Sequence, residues 1–275
     1  MLIEDEFKSK FIPELIIEYL NKCGIYLIKN LPTKQECTLN DVIQYCKEIG
    51  IKNERADIDF NKLIKEAISI GYDKRYCRDD KLENERNVNQ YQFTNSFWGI
   101  LKDLNIEKSY KNKKIIIVGI GDGSEGKFLY RKVKNLVITD IAPNSLCRAR
   151  QILPHAKVYQ EEASNLKSMV NNSFDLYVSL RTYQSTYFDI SKSLQEAKRI
   201  LKNNGAIIIS VACGYINKRN EFIYGLFDPH NGNFEINRPD FFLQIIRNNL
   251  EKLSFKIIGI KKIISEIFIY AIKLS

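Results

Sequence analysis

The chain has 275 residues, of which 44% are hydrophobic, so it can form one large or two smaller packed domains and is too apolar for wholesale disorder. The net charge of +9 is uneven, because residues 1–110 hold 17 basic and 19 acidic residues whereas residues 111–275 hold 25 and 14. Six scattered cysteines argue against a disulfide framework or a metal site, and the charged start MLIEDEFKSK lacks a signal-peptide core. We therefore expect a soluble cytoplasmic protein with no membrane span and no metal.

Three helices are predicted in the first half of the chain, because apolar residues recur there at helical spacing. They cover residues 3–22, 41–49 and 58–70. Thr38 or Asn40 is the expected N-cap of the second helix. The polar stretch 71–95 ends in alternating residues and predicts a hairpin, so the order of elements loosely resembles a winged helix.

A further helix is predicted over residues 93–104, where it would link two parts of the chain. Its Phe97 and Trp98 are expected either to form the contacts between these parts or to belong to a local core. We predict a helical module over residues 1–110 and a second domain over residues 111–275.

From residue 113 the sequence pattern alternates between strands and helices. The predicted strands cover 113–121, 135–140, 156–162, 173–180 and 206–212, and the predicted helices cover 124–132, 143–153, 189–202 and 240–253. Pro143 suits the first turn of the helix over 143–153. Gly205 is expected to end the helix over 189–202. Two last apolar runs, FKIIGIKKII and EIFIYAIKL, are joined by too few residues to be parallel. This order predicts an α/β fold, a doubly wound, mostly parallel seven-stranded sheet with an antiparallel terminal hairpin.

The first of these strands, IIIVGIG, runs into a glycine turn that fits two motifs. Gly119, Gly121 and Gly123 fit G-x-G-x-G, whereas Gly121, Gly123 and Gly126 fit the dinucleotide fingerprint G-x-G-x-x-G. Asp140 lies 17 residues after Gly123, at the carboxyl end of the second strand, where a carboxylate can accept from both hydroxyls of a ribose. The residues of the turn alone leave the choice of cofactor open.

Four segments in order resemble the class I S-adenosylmethionine-dependent methyltransferases over about residues 111–275. They are IIIVGIGDGSEG, TDIAPNSLCRARQI, EEASNLKSMVNNSFDLYVSL and LQEAKRILKNNGAIIISV. The terminal hairpin supports the resemblance, since a dinucleotide dehydrogenase normally repeats parallel strands in its second half. The resemblance implies S-adenosyl-L-methionine as the cofactor, rather than NAD or NADP.

The resemblance also implies the cofactor-binding residues. They are Gly119, Gly121, Asp122 and Gly123 in the turn, Asp140 at the ribose, Ile141 on the adenine, Glu162 and Ala163 near the adenine amino group, and Ser179, Leu180 and Arg181 facing the methionine and the methyl group. Glu161 competes with its neighbour for the adenine role. Many members of the family have an acid two residues before the first glycine that helps to hold the cofactor's amino group. Here Ile117 stands at that position, which puts activity rather than fold in doubt.

The sequence indicates the methyl acceptor less clearly than it indicates the cofactor. The segment RTYQSTYFD after the fourth strand has no Asn/Asp-Pro-Pro-aromatic motif, so an O or N atom of a small molecule is the expected acceptor. Tyr183 and Tyr187 are candidates to line its pocket, Tyr183 is also a catalytic candidate, and His230 is the candidate general base.

Two other functions stay open at this point. The positive excess after residue 110 would suit RNA, and DIAPNSLCRAR with TYQST loosely resembles the mRNA cap guanine methyltransferases. A non-catalytic relative that keeps the fold is the other alternative. The resemblance further implies that residues 1–110 cover the acceptor site and are a candidate homodimerisation module.

Overall fold

A computed structural model describes residues 12–32, 37–52, 59–76, 90–121, 123, 125–185, 187–216, 222–224 and 239–274. The chain divides into two compact units. The first comprises Met1–Arg78 together with Thr186–Phe188, and the second comprises Asp79–Ser185 together with Asp189–Ser275.

The first unit contains three described helices and one small sheet. The helices are α1 (Ile12–Lys22), α2 (Leu39–Ile49) and α3 (Phe60–Tyr76), and an antiparallel pair is formed by β1 (Ile25–Leu27) and β2 (Gly50–Lys52). Thr38 caps α2 in a capping box, because its backbone N–H donates to Asp41 Oδ2 at 2.7 Å and its hydroxyl oxygen accepts from the Asp41 N–H at 3.3 Å. Of the two predicted caps, Thr38 is therefore the correct one.

The hairpin predicted over residues 71–95 is wrong in its described parts. Residues 71–76 continue α3, and residues 90–95 begin the next helix, α4 (Gln90–Asp103). Phe93 and Phe97 are four residues apart, so the same sequence also fits one face of a helix. The small sheet of β1 and β2 was not predicted.

The second unit is built on a seven-stranded sheet. Its strands are β3 (Lys114–Val118), β4 (Asn135–Asp140), β5 (Lys157–Gln160), β6 (Phe174–Leu180), β7 (Leu201–Ala212), β10 (Phe255–Lys262) and β11 (Glu266–Lys273). Their order across the sheet is β5-β4-β3-β6-β7-β11-β10. The first five are parallel, and β11 is antiparallel to both β7 and β10. The predicted sheet with its terminal hairpin is confirmed.

Helices flank this sheet in the second unit. After α4 and a 3₁₀ helix (Glu107–Asn112) come α5 (Gly126–Leu129), α6 (Pro143–Ile152), α7 (Ile190–Ile200) and α8 (Pro239–Lys252). Pro143 begins α6 as predicted. The predicted end of α7 is wrong: Leu201 is its C-cap in an extended conformation, and Asn204 rather than Gly205 adopts a left-handed φ of 60° inside β7. A short pair, β8 (Gly214–Ile216) and β9 (Phe222–Tyr224), was not predicted.

Helix α4 belongs to the core of the second unit. Phe97, Ile100 and Leu101 are fully buried in the same apolar cluster as the strand residue Ile115. The ring of Trp98 packs at 5.3 Å from that of Tyr110. Phe97 thus joins the linking helix to residues beyond 110, as predicted, with its ring 6.3 Å from that of Tyr130, and the helix shares one core with them. The second unit accordingly begins at Asp79, ahead of the predicted boundary near residue 110.

The order of the parallel strands fixes where a ligand can bind. Chain connections run outward in opposite directions from β3 and β6, so a crevice opens between their carboxyl ends. The glycine turn follows β3 at that edge. Within the described ranges, no helix is both long and apolar enough to cross a membrane.

Candidate cofactor-binding site

The glycine turn after β3 is held in a conformation that side chains disfavour. Gly119, Gly121 and Gly123 have φ values of 71°, 60° and 71°, in the left-handed region. The backbone at Gly119 also lies against Thr182, since a Cβ built on this glycine would be 2.9 Å from the Thr182 Cβ. These three glycines form the functional turn, whereas Gly126 begins α5 and packs towards Leu153.

Asp140 ends β4 and supports the same turn. Its Oδ2 accepts a hydrogen bond from the Gly121 N–H, and its Oδ1 accepts one from the Ala142 N–H, both at 2.9 Å. Ser145 adds a short hydrogen bond from its hydroxyl to the Gly121 carbonyl. Burial raises the pKa of Asp140, while the hydrogen bonds from Ala142 and Gly121 oppose that rise. Asp140 is therefore already a structural acceptor for the turn and for the start of α6.

Two neighbouring acids, Glu161 and Glu162, follow β5 and differ in how accessible they are. Glu161 is buried, and its Oε1 accepts from the Ser168 N–H at 2.8 Å. Glu162 is half-buried, and its Oε1 accepts from the Ser164 hydroxyl at 2.6 Å. Ala163 is buried beside it, and Ile141 is half-buried after β4. Glu162 is thus the more accessible of the two acids for a ligand.

The end of β6 presents only one of its three predicted residues to solvent. Ser179 is fully buried and donates to the Val118 carbonyl at 2.8 Å, which ties β6 to β3. Leu180 packs in the apolar core. Arg181 follows, with a left-handed φ of 57° and a side chain that is 28% exposed.

Arg181 forms an ion pair with a residue that the sequence analysis missed. Its Nε donates a short hydrogen bond to Oε1 of Glu266, the first residue of β11, which is fully buried. Burial raises the pKa of Glu266, and the charge of Arg181 opposes that rise. The sequence offered one sign of this residue, a single acid at the start of the apolar run EIFIYAIKL. Its place in the sheet follows only from the pairing of β11 with β7.

Two of the three acceptor-site candidates lie within the described residues, one in each unit. Tyr183 is fully buried in the second unit, and its hydroxyl lies 3.0 Å from that of Tyr177. Burial raises the pKa of Tyr183 well above its ordinary value, so its hydroxyl keeps its proton at neutral pH. Tyr187 is buried in the first unit, where it forms a parallel bridge with Thr38. His230 lies outside the described residues, as does Asp122.

These residues fit an adenosine cofactor with a charged amino-acid end. Asp140 accepts from the Gly121 and Ala142 N–H groups, and a carboxylate has about four acceptor positions, so it keeps acceptor capacity for a ribose hydroxyl. Among the described residues, no group of three or more histidine, cysteine or acidic side chains is placed to hold a metal. A cavity of about 190 Å³ lies at the opposite edge of the sheet, around the Asp175–Lys202 ion pair.

Comparison with known proteins agrees with this geometry. Residues 116–209 match the family model described as methyltransferase domain. The N-methyltransferase NodS from Bradyrhizobium japonicum, solved with S-adenosyl-L-homocysteine, is similar over 75% of this chain and 98% of its own, with 13% identity and a TM-score of 0.50. A methyltransferase from Aquifex aeolicus is similar over 64% and 88%, with 17% identity and a TM-score of 0.46. One from Mesorhizobium loti is similar over 64% and 97%, with 15% identity and a TM-score of 0.48. No curated protein matches the chain.

The sheet order is that of the class I, Rossmann-like methyltransferase fold. Residues 116–209 match the methyltransferase domain model, and S-adenosyl-L-methionine is the cofactor that this match implies. When bound, this cofactor would supply a methyl group activated on a sulfonium.

Proposed function

We propose that this protein transfers the methyl group of S-adenosylmethionine to an O or N atom of a small molecule. The observation that carries the proposal is the glycine turn with three left-handed residues, locked to the Asp140 carboxylate at the carboxyl end of the sheet. The turn brings backbone close to a ligand, and Asp140 supplies acceptors for hydroxyl groups.

The proposed roles follow from position in the sheet. Gly119, Gly121, Asp122 and Gly123 would border the methionine end, Asp140 the ribose, and Ile141, Glu162 and Ala163 the adenine. Ser179 and Leu180 would contribute mainly backbone, because their side chains are used within the sheet. Such a site accelerates methyl transfer chiefly by aligning the acceptor and excluding water.

A small-molecule acceptor is favoured over a nucleic acid by two features of the sequence. The segment that follows β6 lacks the Asn/Asp-Pro-Pro-aromatic motif, and the first 110 residues carry no positive excess. His230 and Tyr183 remain the candidates for proton transfer and acceptor binding. As a phenol that stays protonated, Tyr183 would act as a hydrogen-bond donor rather than as a base. A cap or dimerisation role for the first 110 residues, and a cytoplasmic location, stay predictions.

Calorimetry with S-adenosylhomocysteine, S-adenosylmethionine and NAD tests the proposal. We expect both S-adenosyl compounds to bind and NAD not to bind. A transfer assay with labelled S-adenosylmethionine and fractionated cell extract then tests the acceptor, with labelled small molecules as the expected product. Tighter binding of NAD would overturn the cofactor assignment, and cofactor binding without any labelled product would favour a non-catalytic relative.

A further inference from the structure

Arg181 is anchored between β7 and the glycine turn. Its backbone N–H donates to the Ser210 carbonyl at 3.0 Å and lies 3.1 Å from the Ser210 hydroxyl oxygen. The next residue, Thr182, donates from its hydroxyl to the Gly119 carbonyl at 3.1 Å. The backbone of Arg181 is therefore held next to Thr182, the residue that contacts Gly119, the first glycine of the turn.

Glu266 reaches the same place from the terminal hairpin. It pairs with Ala212 on β7, and its fully buried carboxyl accepts the Arg181 Nε–H through Oε1. Burial raises the pKa of the Glu266 carboxyl, and the Ser210 hydroxyl, like Arg181, lowers it. The second oxygen, Oε2, is buried and has no partner in hydrogen-bond geometry among the described residues. A buried carboxylate oxygen without a donor is costly, so a donor group from a ligand would be favourable there.

The free fork of Arg181 completes the arrangement. The hydrogen bond to Glu266 comes from Nε, so the two Nη groups keep their donors for a ligand, and the side chain is 28% exposed. A guanidinium fork matches a carboxylate in shape and charge. Glu125, which follows the glycine turn, adds a further negative charge near Glu266, which raises the Glu266 pKa and would also favour a cation.

We propose that Arg181 and Glu266 together bind the amino-carboxylate end of S-adenosylmethionine, with Arg181 at the carboxylate and Glu266 Oε2 at the ammonium. The cofactor's methionine end carries both charges, and this pair presents the opposite charge to each. Ile117, buried in β3 before the turn, brings no carboxylate, and the Glu266 carboxyl can supply one from β11. The inference rests on the proposed function, because it presumes that this cofactor binds at the turn.

The test compares two ligands that differ only beyond the sulfur. S-adenosylhomocysteine has the amino-carboxylate end, and 5′-methylthioadenosine lacks it. Calorimetry with wild type and Glu266→Gln should show a loss of about tenfold or more in affinity for S-adenosylhomocysteine. The affinity for methylthioadenosine should stay unchanged. Asp175→Asn, which removes the Lys202 partner at the opposite edge of the sheet, is the matched control and should change neither affinity.

Two further variants keep the test decisive if Glu266→Gln does not fold. Arg181→Met combined with Glu266→Gln removes both charges and so leaves no buried charge unpaired. Arg181→Lys keeps the positive charge and should retain part of the affinity for S-adenosylhomocysteine. These variants should likewise leave methylthioadenosine binding unchanged.

Three outcomes would overturn the inference while leaving the proposed function intact. They are equal losses for both ligands, no loss for either, and a loss of methyl transfer with unchanged S-adenosylhomocysteine affinity. Equal losses for both ligands would mean that Arg181 and Glu266 only support the glycine turn. A loss of methyl transfer with unchanged affinity would mean that they contact the methyl acceptor. If the wild type binds neither ligand, the proposed function fails, and this inference fails with it.

Discussion

The hydroxyl of Thr182 donates a hydrogen bond to the carbonyl oxygen of Gly119 over 3.1 Å, which joins the loop after β6 to the glycine turn after β3. This contact leaves no room for a side chain on Gly119, whose φ of 71° also disfavours one. We therefore expect Gly119→Ala to reduce S-adenosylhomocysteine affinity strongly and to lower the melting temperature.

The matched variant is Gly123→Ala. Gly123 has the same φ, but a Cβ there would lie 3.4 Å from its nearest neighbour, in ordinary contact with Ile152. Its loss of stability should be that of backbone strain, of about 1–2 kcal/mol, without the clash that Gly119→Ala has with Thr182. If Thr182→Gly does not rescue any part of the Gly119→Ala loss, crowding by Thr182 is not its cause.

Asp140→Ala tests the ribose role of this carboxylate. The change removes the acceptor for two backbone N–H groups, so the free energy of unfolding should fall by about 1–3 kcal/mol or more. Affinity for S-adenosylhomocysteine should fall by about tenfold or more, since hydrogen bonds to charged groups contribute about 1.5–3 kcal/mol. Calorimetry and thermal melts measure the two effects separately.

Ser145→Ala is the control for that experiment. Ser145 supports the same glycine through the Gly121 carbonyl but offers the ligand no carboxylate. It should lower stability with a much smaller loss of affinity. If both variants weaken binding equally, Asp140 acts only as a cap for the turn and for α6.

Helix α4 should be essential to the second unit. Phe97 is fully buried with its ring 6.0 Å from that of Tyr110 and 6.3 Å from that of Tyr130, so Phe97→Ala should cost about 3–5 kcal/mol in chemical denaturation. Tyr91→Ala on the same helix, where the side chain is 80% exposed, should stay within about 0.5 kcal/mol of wild type. A truncation that begins at Ser109 removes α4 and should not fold; a stable, folded product would contradict this role.

Acid should weaken the loop between β5 and β6 through Glu196, because Glu196 Oε2 accepts a hydrogen bond from the Leu166 N–H of that loop at 2.8 Å. Hydrogen bonds from Arg199, at 2.8 Å to each carboxylate oxygen, hold the pKa of Glu196 below its ordinary value. The ionised form is therefore favoured in the folded state. This stability is present above the ordinary pKa of a glutamate and is lost as the pH falls through the lowered value.

Melting temperatures at about pH 7 and about pH 3 test this relationship. The difference between them should be smaller for Glu196→Gln than for wild type. Glu251→Gln, which removes the exposed partner of Arg247, should keep the wild-type difference. An equal difference in all three proteins would show that Glu196 does not contribute to the acid sensitivity.

The positive excess after residue 110 predicts some affinity for RNA. We expect weak binding that falls steeply between about 50 and 200 mM salt, because it would rest on counterion release. Labelled methyl transfer to that RNA should not occur. Filter binding and a transfer assay at both salt concentrations measure this, and labelled RNA would make RNA the preferred acceptor.

Local patterns in the sequence predicted the sheet well. Runs such as NLVITD and FDLYVSL are strands because continuous apolar residues suit a sheet buried on both faces, and Asp140 lies at the end of its strand as expected. The end of α7 was less predictable, because Asn204 tolerates the left-handed conformation that the pattern assigned to glycine.

Contacts between residues that are distant in the chain, which depend on the order of strands in the sheet, could not be predicted from the sequence. Glu266 lies 85 residues from Arg181 in the chain, and only the pairing of β11 with β7 brings them together. Helix α4 was assigned to a separate module over residues 1–110 for a similar reason, because an apolar helix face does not specify its partner surface.

The assignment of residues 186–188 to the first unit has a consequence for biosynthesis. The ribosome releases most of that unit early, but its last segment, with Tyr187 bridged to Thr38, follows only after β3, β4, β5 and β6 have been made. Domains commonly fold in order as they emerge. Here the first unit cannot complete its own structure until more than half of the second has left the ribosome, which makes maturation of the two units interdependent during translation.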